Sequence, residues 1–369
     1  MKITVVCDRF GADNNGEADV ALRLVRAMKQ RGHEVAVVCA DEARDGKEGF
    51  VVVSRLAGVV SMKSAFARED KKKLEEAVWD SDVVHIMTPF ALGAAAVKLC
   101  RKHLIPASAD FRLQAESITS RFNLRDSRAA SRLTYRQLYN ALYRHADAVR
   151  YPAGFAREVF ENAVGKSTNA YIIPDGVDER FHPGAAEKPS EFRNQFVILY
   201  CAPYTREKSH RVLIDAVALS KHSSRIRLIL AGEGPLKNAL RTRSSKLPVK
   251  PILANYPRIQ MPKLYRYADL YVHPAQVEAQ AQAVMEALAC GTVPFAADSP
   301  LSAASRLVPD PELLFKCGDA RDLAERIDRI IELPELLEMY RERCMGVAVE
   351  FSEDACMDRV EEMLYDVWK

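Results

Sequence analysis

Apolar runs and amphipathic segments alternate along the whole chain, and this alternation predicts parallel β-strands connected by α-helices. The predicted strands are residues 2–7, 34–39, 82–86, 106–110, 196–201, 227–231, 269–273 and 292–297. The main predicted helices are residues 18–30, 92–102 and 209–220. The pattern therefore predicts two α/β units, and in each of them a ligand is expected beyond the carboxyl ends of the strands.

Residues 273–299 (HPAQVEAQAQAVMEALACGTVPFAADS) are predicted to form a strand end, a loop, a helix, a turn and the next strand. Glu278 lies in the predicted loop, Glu286 lies on the helix, and Gly291 suits a left-handed helix end. The first free N–H groups of this helix, near residues 280–283, form an anion site. With a diphosphate held there, Glu286 could accept hydrogen bonds from two ribose hydroxyls, and Glu278 could contact hydroxyls of a transferred sugar. From spacing alone, a solvated glutamate and a helix-surface glutamate without a binding role are the favoured interpretation.

Composition narrows the class of protein. The 369 residues suit two domains, and 48% hydrophobic with 28% charged residues is typical of a soluble globular protein. The amino terminus is predicted to be a strand and not a signal peptide, and no apolar run is long enough to span a membrane. The eight cysteines contain no CxxC pair, which predicts buried thiols in a reducing compartment and no zinc site. A net charge of +3 does not indicate nucleic-acid binding.

Several motifs resemble glycosyltransferase family 4, the retaining GT-B enzymes, in the order in which that family carries them. Two glutamates eight positions apart precede an Ala-Cys-Gly turn, PDGVDERFHP is similar to the interdomain signature, and DVVHIMTPFALG resembles the branch that includes bacterial diacylglycerol glucosyltransferases. The resemblance covers nearly the whole chain. It implies an α/β GT-B fold with two Rossmann-like domains facing across a cleft. Residues 1–187, joined by a C-terminal helix at 352–369, would form the acceptor-side domain, and residues 188–351 would bind the nucleotide-sugar.

The same resemblance implies a set of site residues. Glu278, Lys208 and Arg112 are expected at the catalytic centre. The expected donor-binding residues are Glu286, Arg206, Gly232, Glu233, Gly234, Gln280, Ala281 and Gln282. The expected acceptor-side residues are Asn15, Gly16, Gln114 and Glu116. Neither a metal ion nor another cofactor is implied, because the nucleotide-sugar is the donor substrate.

Four departures from the family pattern bear on activity: Arg112, Pro203, Ala279 and Ala281. Ala202 and Pro203 stand where the family carries Gly-Arg ahead of Glu-Lys, so Arg206 is a candidate to replace the missing cation beside Lys208. Ala279 and Ala281 replace glycines, which costs about 1–2 kcal/mol wherever the backbone needs a positive φ. Arg112 stands where many relatives carry histidine; it cannot act as a base, but it can bind an anionic acceptor or a phosphate.

Residues 121–144 are the most basic stretch of the chain, with tyrosines at every fourth position from Tyr135 to Tyr143 and arginines on another face. Such a segment either packs its tyrosines inward and solvates its arginines, or lies on an anionic membrane surface. The first interpretation is slightly favoured.

The sequence therefore predicts a hexosyltransferase that uses a nucleotide-sugar of the UDP-glucose type and a lipid or glycan acceptor, in bacterial glycolipid or polysaccharide synthesis. Its expected location is the cytoplasm or the inner face of the membrane. A non-catalytic relative that binds sugar, nucleotide or a partner protein is the alternative, because of the four departures. An epimerase or a phosphorylase has no motif in its favour.

Overall fold

A computed structural model of the protein describes residues 1–8, 10, 16–40, 46–53, 68–119 and 127–369. They form two compact units: unit 1 comprises Met1–Asp175 and Asp354–Lys369, and unit 2 comprises Gly176–Glu353. The chain thus leaves unit 1 at Asp175, ahead of the change at residues 187–188 that the sequence predicts.

Unit 1 contains a seven-stranded parallel sheet in the order β3-β2-β1-β4-β5-β6-β7. Its strands are β1 (Lys2–Val6), β2 (Glu34–Cys39), β3 (Phe50–Val52), β4 (Val83–Ile86), β5 (Ala107–Asp110), β6 (Ala148–Tyr151) and β7 (Ala170–Ile172). The central strands are almost wholly buried, as expected for a parallel sheet covered on both faces. The order reverses between β1 and β4, and this is the point where such sheets bind ligands.

The helices of unit 1 are α1 (Gly16–Gln30), α2 (Arg68–Trp79), α3 (Ala91–His103), α4 (Ala115–Thr119), α5 (Arg128–Ala141) and α6 (Gly154–Val164). Local sequence explains several of their ends. Helix α5 begins after Ser127, whose side chain accepts a hydrogen bond from the N–H of Ala130. Helix α3 ends in three basic residues, which interact favourably with the carboxyl end of the helix dipole.

The basic segment predicted at residues 121–144 packs its aromatic side inward in α5 and the turn that follows. Tyr135, Leu138 and Tyr143 are buried, and Tyr135 contacts Phe160 of α6. Arg128, Arg132 and Arg136 are exposed, whereas Arg121 and Arg125 lie outside the described residues. The inward-packing interpretation therefore accounts for the tyrosines without a membrane.

Unit 2 contains a six-stranded parallel sheet in the order β10-β9-β8-β11-β12-β13. Its strands are β8 (Phe196–Cys201), β9 (Ile226–Ala231), β10 (Ile252–Ala254), β11 (Leu270–His273), β12 (Pro294–Asp298) and β13 (Leu314–Lys316). Its helices are α7 (His210–Leu219), α8 (Lys237–Ser244), α9 (Met261–Tyr267), α10 (Gln282–Ala289), α11 (Ala304–Leu307), α12 (Ala320–Glu332) and α13 (Pro334–Ala348). The order reverses between β8 and β11.

The last helix, α14 (Glu353–Trp368), returns to unit 1. Its apolar residues Met357, Val360 and Leu364 are buried in the cluster that covers β1 and α1. Both parallel sheets and the returning helix confirm the predicted pair of Rossmann-like folds. Within the described part of the chain, no helix combines the length and the apolar character that crossing a membrane requires.

Candidate active site

Three loops of unit 2 meet at the carboxyl ends of β9, β8 and β11, next to the reversal of strand order. The loop after β8 carries Lys208, and the loop after β11 carries Glu278. Backbone hydrogen bonds join the loops: the N–H of Gln276 donates to the carbonyl of Glu207 at 2.9 Å, and the N–H of Tyr204 donates to the carbonyl of Glu233 at 2.8 Å. The sheet thus brings residues that are far apart in sequence to one edge, as predicted.

Close packing against the loop after β8 requires glycine at two positions of the loop after β9, Gly232 and Gly234. A Cβ atom at Gly232 would lie 2.1 Å from the carbonyl oxygen of Ala202, and one at Gly234 would lie 2.8 Å from the backbone nitrogen of Tyr204. Only glycine allows this loop to pass so close to the loop after β8. Between them, the side chain of Glu233 forms a surface ion pair with Lys237 at 2.8 Å. Donor binding by this loop stays a prediction.

Lys208 and Glu278 contact each other directly. The Nζ atom of Lys208 lies 2.7 Å from Oε2 of Glu278, and both side chains are largely shielded from solvent. Buried His273, the last residue of β11, places Nε2 3.6 Å from the same oxygen. Burial raises the pKa of Glu278 while Lys208 and His273 lower it, and the net shift is downward. Burial lowers the pKa of His273 to about 4, so the ring is neutral at pH 7. The carboxylate is therefore ionised beside a lysine.

The two alanines that replace family glycines behave differently. Ala281 has a left-handed backbone (φ 60°, ψ 48°) and is the N-cap of α10. Ala279, in contrast, does not have a positive φ. A hydrogen bond from the backbone of Ala281 reaches Glu278 and helps to lower its pKa. The chain thus adopts the strained turn without glycine and directs an N–H group at a predicted catalytic carboxylate.

Polar side chains around the start of α10 form hydrogen bonds with one another and with a backbone carbonyl. The side-chain amide of Gln280 donates to Oε1 of Gln282 at 2.9 Å, and the amide of Gln282 donates to the carbonyl of Gly176 at 3.0 Å. Among the residues that the structure describes, no side chain caps the helix. Arg206 is exposed on the neighbouring loop. This amino end keeps the character of an anion site.

Glu286 lies on the buried side of α10, with 3% of its side chain exposed. Its Oε1 atom is 2.6 Å from Nη1 of Arg258, and its Oε2 atom accepts a hydrogen bond from the hydroxyl of Tyr265 at 3.1 Å. The sequence predicts the position of Glu286 but neither partner, because Arg258 and Tyr265 lie outside residues 273–299, which carry the motif.

In unit 1, Arg112 is part of a buried ionic cluster at the carboxyl ends of β5 and β6. Its Nη1 atom donates to Asp175 at 2.7 Å and to Asp110 at 3.1 Å. Arg150 donates to the same two carboxylates at 2.8 and 3.3 Å, and Nε2 of His85 lies 3.2 Å from Asp110. Burial raises the pKa of Asp110, but Arg150, His85 and Arg112 shift it well below its ordinary value. The guanidinium of Arg112 already has two carboxylate partners, and its role toward an acceptor stays a prediction.

Three of the four predicted acceptor-side residues belong to the described part of unit 1. Gln114 and Glu116 are buried, and Glu116 accepts a hydrogen bond from the hydroxyl of Tyr135 at 2.5 Å. Gly16 is the first residue of α1, and Asn15 lies outside the described residues. Across the residues that the structure describes, no group of histidine, cysteine, aspartate and glutamate side chains is placed to hold a metal ion.

Two family models match the chain. The model described as "Glycosyltransferase Family 4" matches residues 14–181, and the model described as "Glycosyl transferases group 1" matches residues 184–344. Between them they leave unmatched only residues 1–13, 182–183 and 345–369. The first range contains β2 to β7, and the second contains β8 to β13.

Several curated proteins are similar in sequence. A GDP-mannose-dependent alpha-mannosyltransferase of Corynebacterium glutamicum is 26% identical over 79% of this chain and 71% of its own length. A GDP-mannose-dependent alpha-(1-6)-phosphatidylinositol dimannoside mannosyltransferase of Mycobacterium tuberculosis is 32% identical, over 54% of this chain and about half (52%) of that enzyme. An alpha-monoglucosyldiacylglycerol synthase of Streptococcus pneumoniae is 22% identical over 92% of this chain and 80% of that enzyme.

Solved structures share the fold at low sequence identity. Anabaena Alr3699/HepE in complex with UDP-glucose superposes with a TM-score of 0.80 at 17% identity, covering 99% of this chain and all of that one. Sucrose-phosphate synthase from Thermosynechococcus elongatus gives a TM-score of 0.79 at 17% identity, covering 100% and 99%. The fold is therefore GT-B.

Proposed function

Because the chain belongs to glycosyltransferase family 4, we propose that it is a retaining enzyme that moves a hexose from a nucleotide-sugar to a lipid or glycan acceptor. The observation that carries this proposal is the Lys208–Glu278 pair beside the uncapped start of α10, at the reversal of strand order. A lysine and helix N–H groups suit a diphosphate, and a carboxylate suits sugar hydroxyls.

The proposed reaction needs charge stabilisation more than a dedicated base. The bond between the anomeric carbon and the diphosphate breaks, and the acceptor oxygen forms its bond to the same carbon on the same face. The acceptor proton passes to a phosphate oxygen of the leaving group. Lys208 and the start of α10 would stabilise the negative charge that develops on the diphosphate. No step requires a histidine where the chain carries Arg112.

The donor is proposed to be a nucleoside diphosphate hexose, with UDP-glucose and GDP-mannose as the two candidates. UDP-glucose follows from the resemblance to glucosyltransferases, and a glucosyldiacylglycerol synthase is among the relatives. GDP-mannose is supported by the names of the mannosyltransferases. The same names support a lipid acceptor at a membrane, a setting in which the exposed arginines of α5 would face anionic lipid.

Calorimetric titration of the purified chain with UDP, GDP and ADP, followed by the sugar conjugate of the nucleotide that binds, tests the donor site. We expect micromolar affinity for one nucleotide and, with vesicles containing diacylglycerol or phosphatidylinositol, a glycolipid whose anomeric configuration matches that of the donor. Lys208→Met is expected to weaken diphosphate binding by about 10-fold to 100-fold, because a charge-assisted contact is lost.

Lys188→Met is a matched control. Lys188 also forms a partly buried ion pair, with Asp269 at 2.5 Å, but at the amino ends of β8 and β11. Its loss is expected to leave nucleotide affinity unchanged. If no nucleotide binds to the wild-type protein, the chain is instead the non-catalytic relative that the four departures allow.

A further inference from the structure

We propose that Arg258 is a positioning residue that holds Glu286 in place to recognise the ribose of the donor, so that the site selects ribonucleotides through this pair. The inference rests on the proposed function, because it assumes that a nucleotide binds at α10. It extends that function by assigning a role to Arg258, a residue that belongs to no motif identified in the sequence.

The first observation is the geometry of the Glu286 carboxylate. Nη1 of Arg258 lies 2.6 Å from Oε1 as an ion pair, and the hydroxyl of Tyr265 donates a hydrogen bond to Oε2 at 3.1 Å; among the described residues, Oε1 accepts no hydrogen bond. A carboxylate has about four lone-pair positions. Each oxygen therefore keeps at least one lone-pair position, and two adjacent hydroxyls of a ribose require two such positions on one carboxylate.

The second observation is that the buried Glu286 carboxylate depends on Arg258 for charge compensation. Glu286 is 2% exposed, and in the described part of the chain Arg258 is its one cationic partner within 4 Å. Removing one member of a buried ion pair leaves an uncompensated charge, which is strongly destabilising. Arg258 is therefore expected to remain in contact with Glu286 when a nucleotide binds, and to act as part of the binding surface.

The third observation is that Arg258 itself has a fixed position. Its guanidinium carbon lies 4.5 Å from the centre of the Phe181 ring, a cation–π contact that holds the group beside the ring. The side chain is 28% exposed, whereas that of Glu286 is almost closed to solvent. Arg258 is thus the more exposed member of the pair, and a ligand that binds Glu286 is expected to lie against the arginine as well.

The test compares a ribonucleoside diphosphate with its 2′,3′-dideoxy analogue, using the nucleotide that the wild-type protein binds. We expect the ribose form to bind the wild type about 10-fold to 100-fold more tightly, since two hydrogen bonds to a charged acceptor are at stake. In Arg258→Met the ratio is expected to fall to about 3-fold or less. A purely structural role would weaken both ligands equally and leave the ratio unchanged.

Arg243→Met is the matched control, because Arg243 forms a two-nitrogen ion pair with Asp215 on the helical surface of the same unit. It is expected to retain the wild-type ratio. If Arg258→Met does not fold, Arg258→Lys is used in its place. Because the lysine ammonium lacks the planar guanidinium group, this variant is expected to reduce the ratio of ribose to dideoxy affinity at least about 3-fold. A folded Arg258 variant that retains the ratio, or binds the ribonucleotide more tightly than the wild type, would overturn this inference alone. A wild-type protein that binds no nucleotide would overturn the proposed function as well.

Discussion

The left-handed alanine at the start of α10 allows a direct measurement of the strain in the candidate donor site. Ala281 has φ 60° and ψ 48°, where its Cβ atom approaches the following carbonyl. Substitution by glycine removes this clash and leaves the rest of the turn unchanged. The prediction is that Ala281→Gly has almost no effect on the stability of unit 2, although it deletes a fully buried methyl group.

The magnitude follows from three opposing contributions. Relief of the left-handed strain stabilises by about 1–2 kcal/mol. Loss of the buried methyl group costs about 0.8 kcal/mol, and the greater freedom of glycine in the unfolded chain costs about 0.4–1 kcal/mol. The sum lies within about 1 kcal/mol of zero. Ala287→Gly in the middle of the same helix loses an equally buried methyl group without any relief, so it is expected to cost about 2 kcal/mol.

The assay must report on unit 2. Both tryptophans, Trp79 and Trp368, belong to unit 1, so tryptophan fluorescence follows the wrong half of the molecule. Amide hydrogen exchange of β11 and β12, measured at increasing urea concentration, follows the unfolding of unit 2 instead. Equal destabilisation by Ala281→Gly and Ala287→Gly would refute the reasoning, because the left-handed turn would then carry no measurable strain.

Two further predictions concern buried ionisable groups. Lowering the pH from 7 to 5 is expected to destabilise unit 2, because burial lowers the pKa of His273 to about 4 and that of His210 to about 3, below the ordinary 6.5. The unfolded chain then takes up protons that the native state does not bind, so below pH 6.5 the free energy of unfolding falls by about 1 kcal/mol per pH unit for each histidine. Urea titrations at both pH values measure this fall, and His273→Asn is expected to make the free energy of unfolding depend less on pH. Arg150→Met is expected to destabilise unit 1 by about 3–5 kcal/mol, since Asp110 and Asp175 lose a shared buried cation; urea unfolding followed by tryptophan fluorescence measures it, and a loss below about 1 kcal/mol would contradict it.

The strands and helices were accessible from the sequence because their signal is local. The strand predicted at residues 196–201 has its observed bounds, and the helix predicted at 209–220 is observed as His210–Leu219. Apolar runs bounded by turn residues suffice for this, since a strand in a parallel sheet is buried on both faces. The direction of the sheets then places the loops of Lys208 and Glu278 at one edge without further information.

The partners of the charged side chains could not be predicted in the same way. Arg112 was interpreted as a cation available to a ligand, but it is matched by Asp175, which lies far along the chain in the turn that ends unit 1. The sequence predicts a ribose contact for Glu286 and gives no indication of its ion pair with Arg258. Each pairing depends on which side chains two distant loops bring within a few ångströms, and periodicity carries no such information.

The Lys208–Glu278 contact shows how a pairing of this kind changes the interpretation of both residues. The sequence assigns the lysine to the diphosphate and the glutamate to the sugar, yet the two groups neutralise each other at 2.7 Å. A diphosphate carries more negative charge than one carboxylate and also binds the start of α10, so we expect it to compete with Glu278 for Lys208. When the donor binds, Lys208 would then form its ion pair with the diphosphate, and the Glu278 carboxylate would become available to the sugar hydroxyls. On this argument Glu278 limits the affinity for a free nucleotide, and Glu278→Gln, unlike Lys208→Met, should not weaken the binding of the diphosphate.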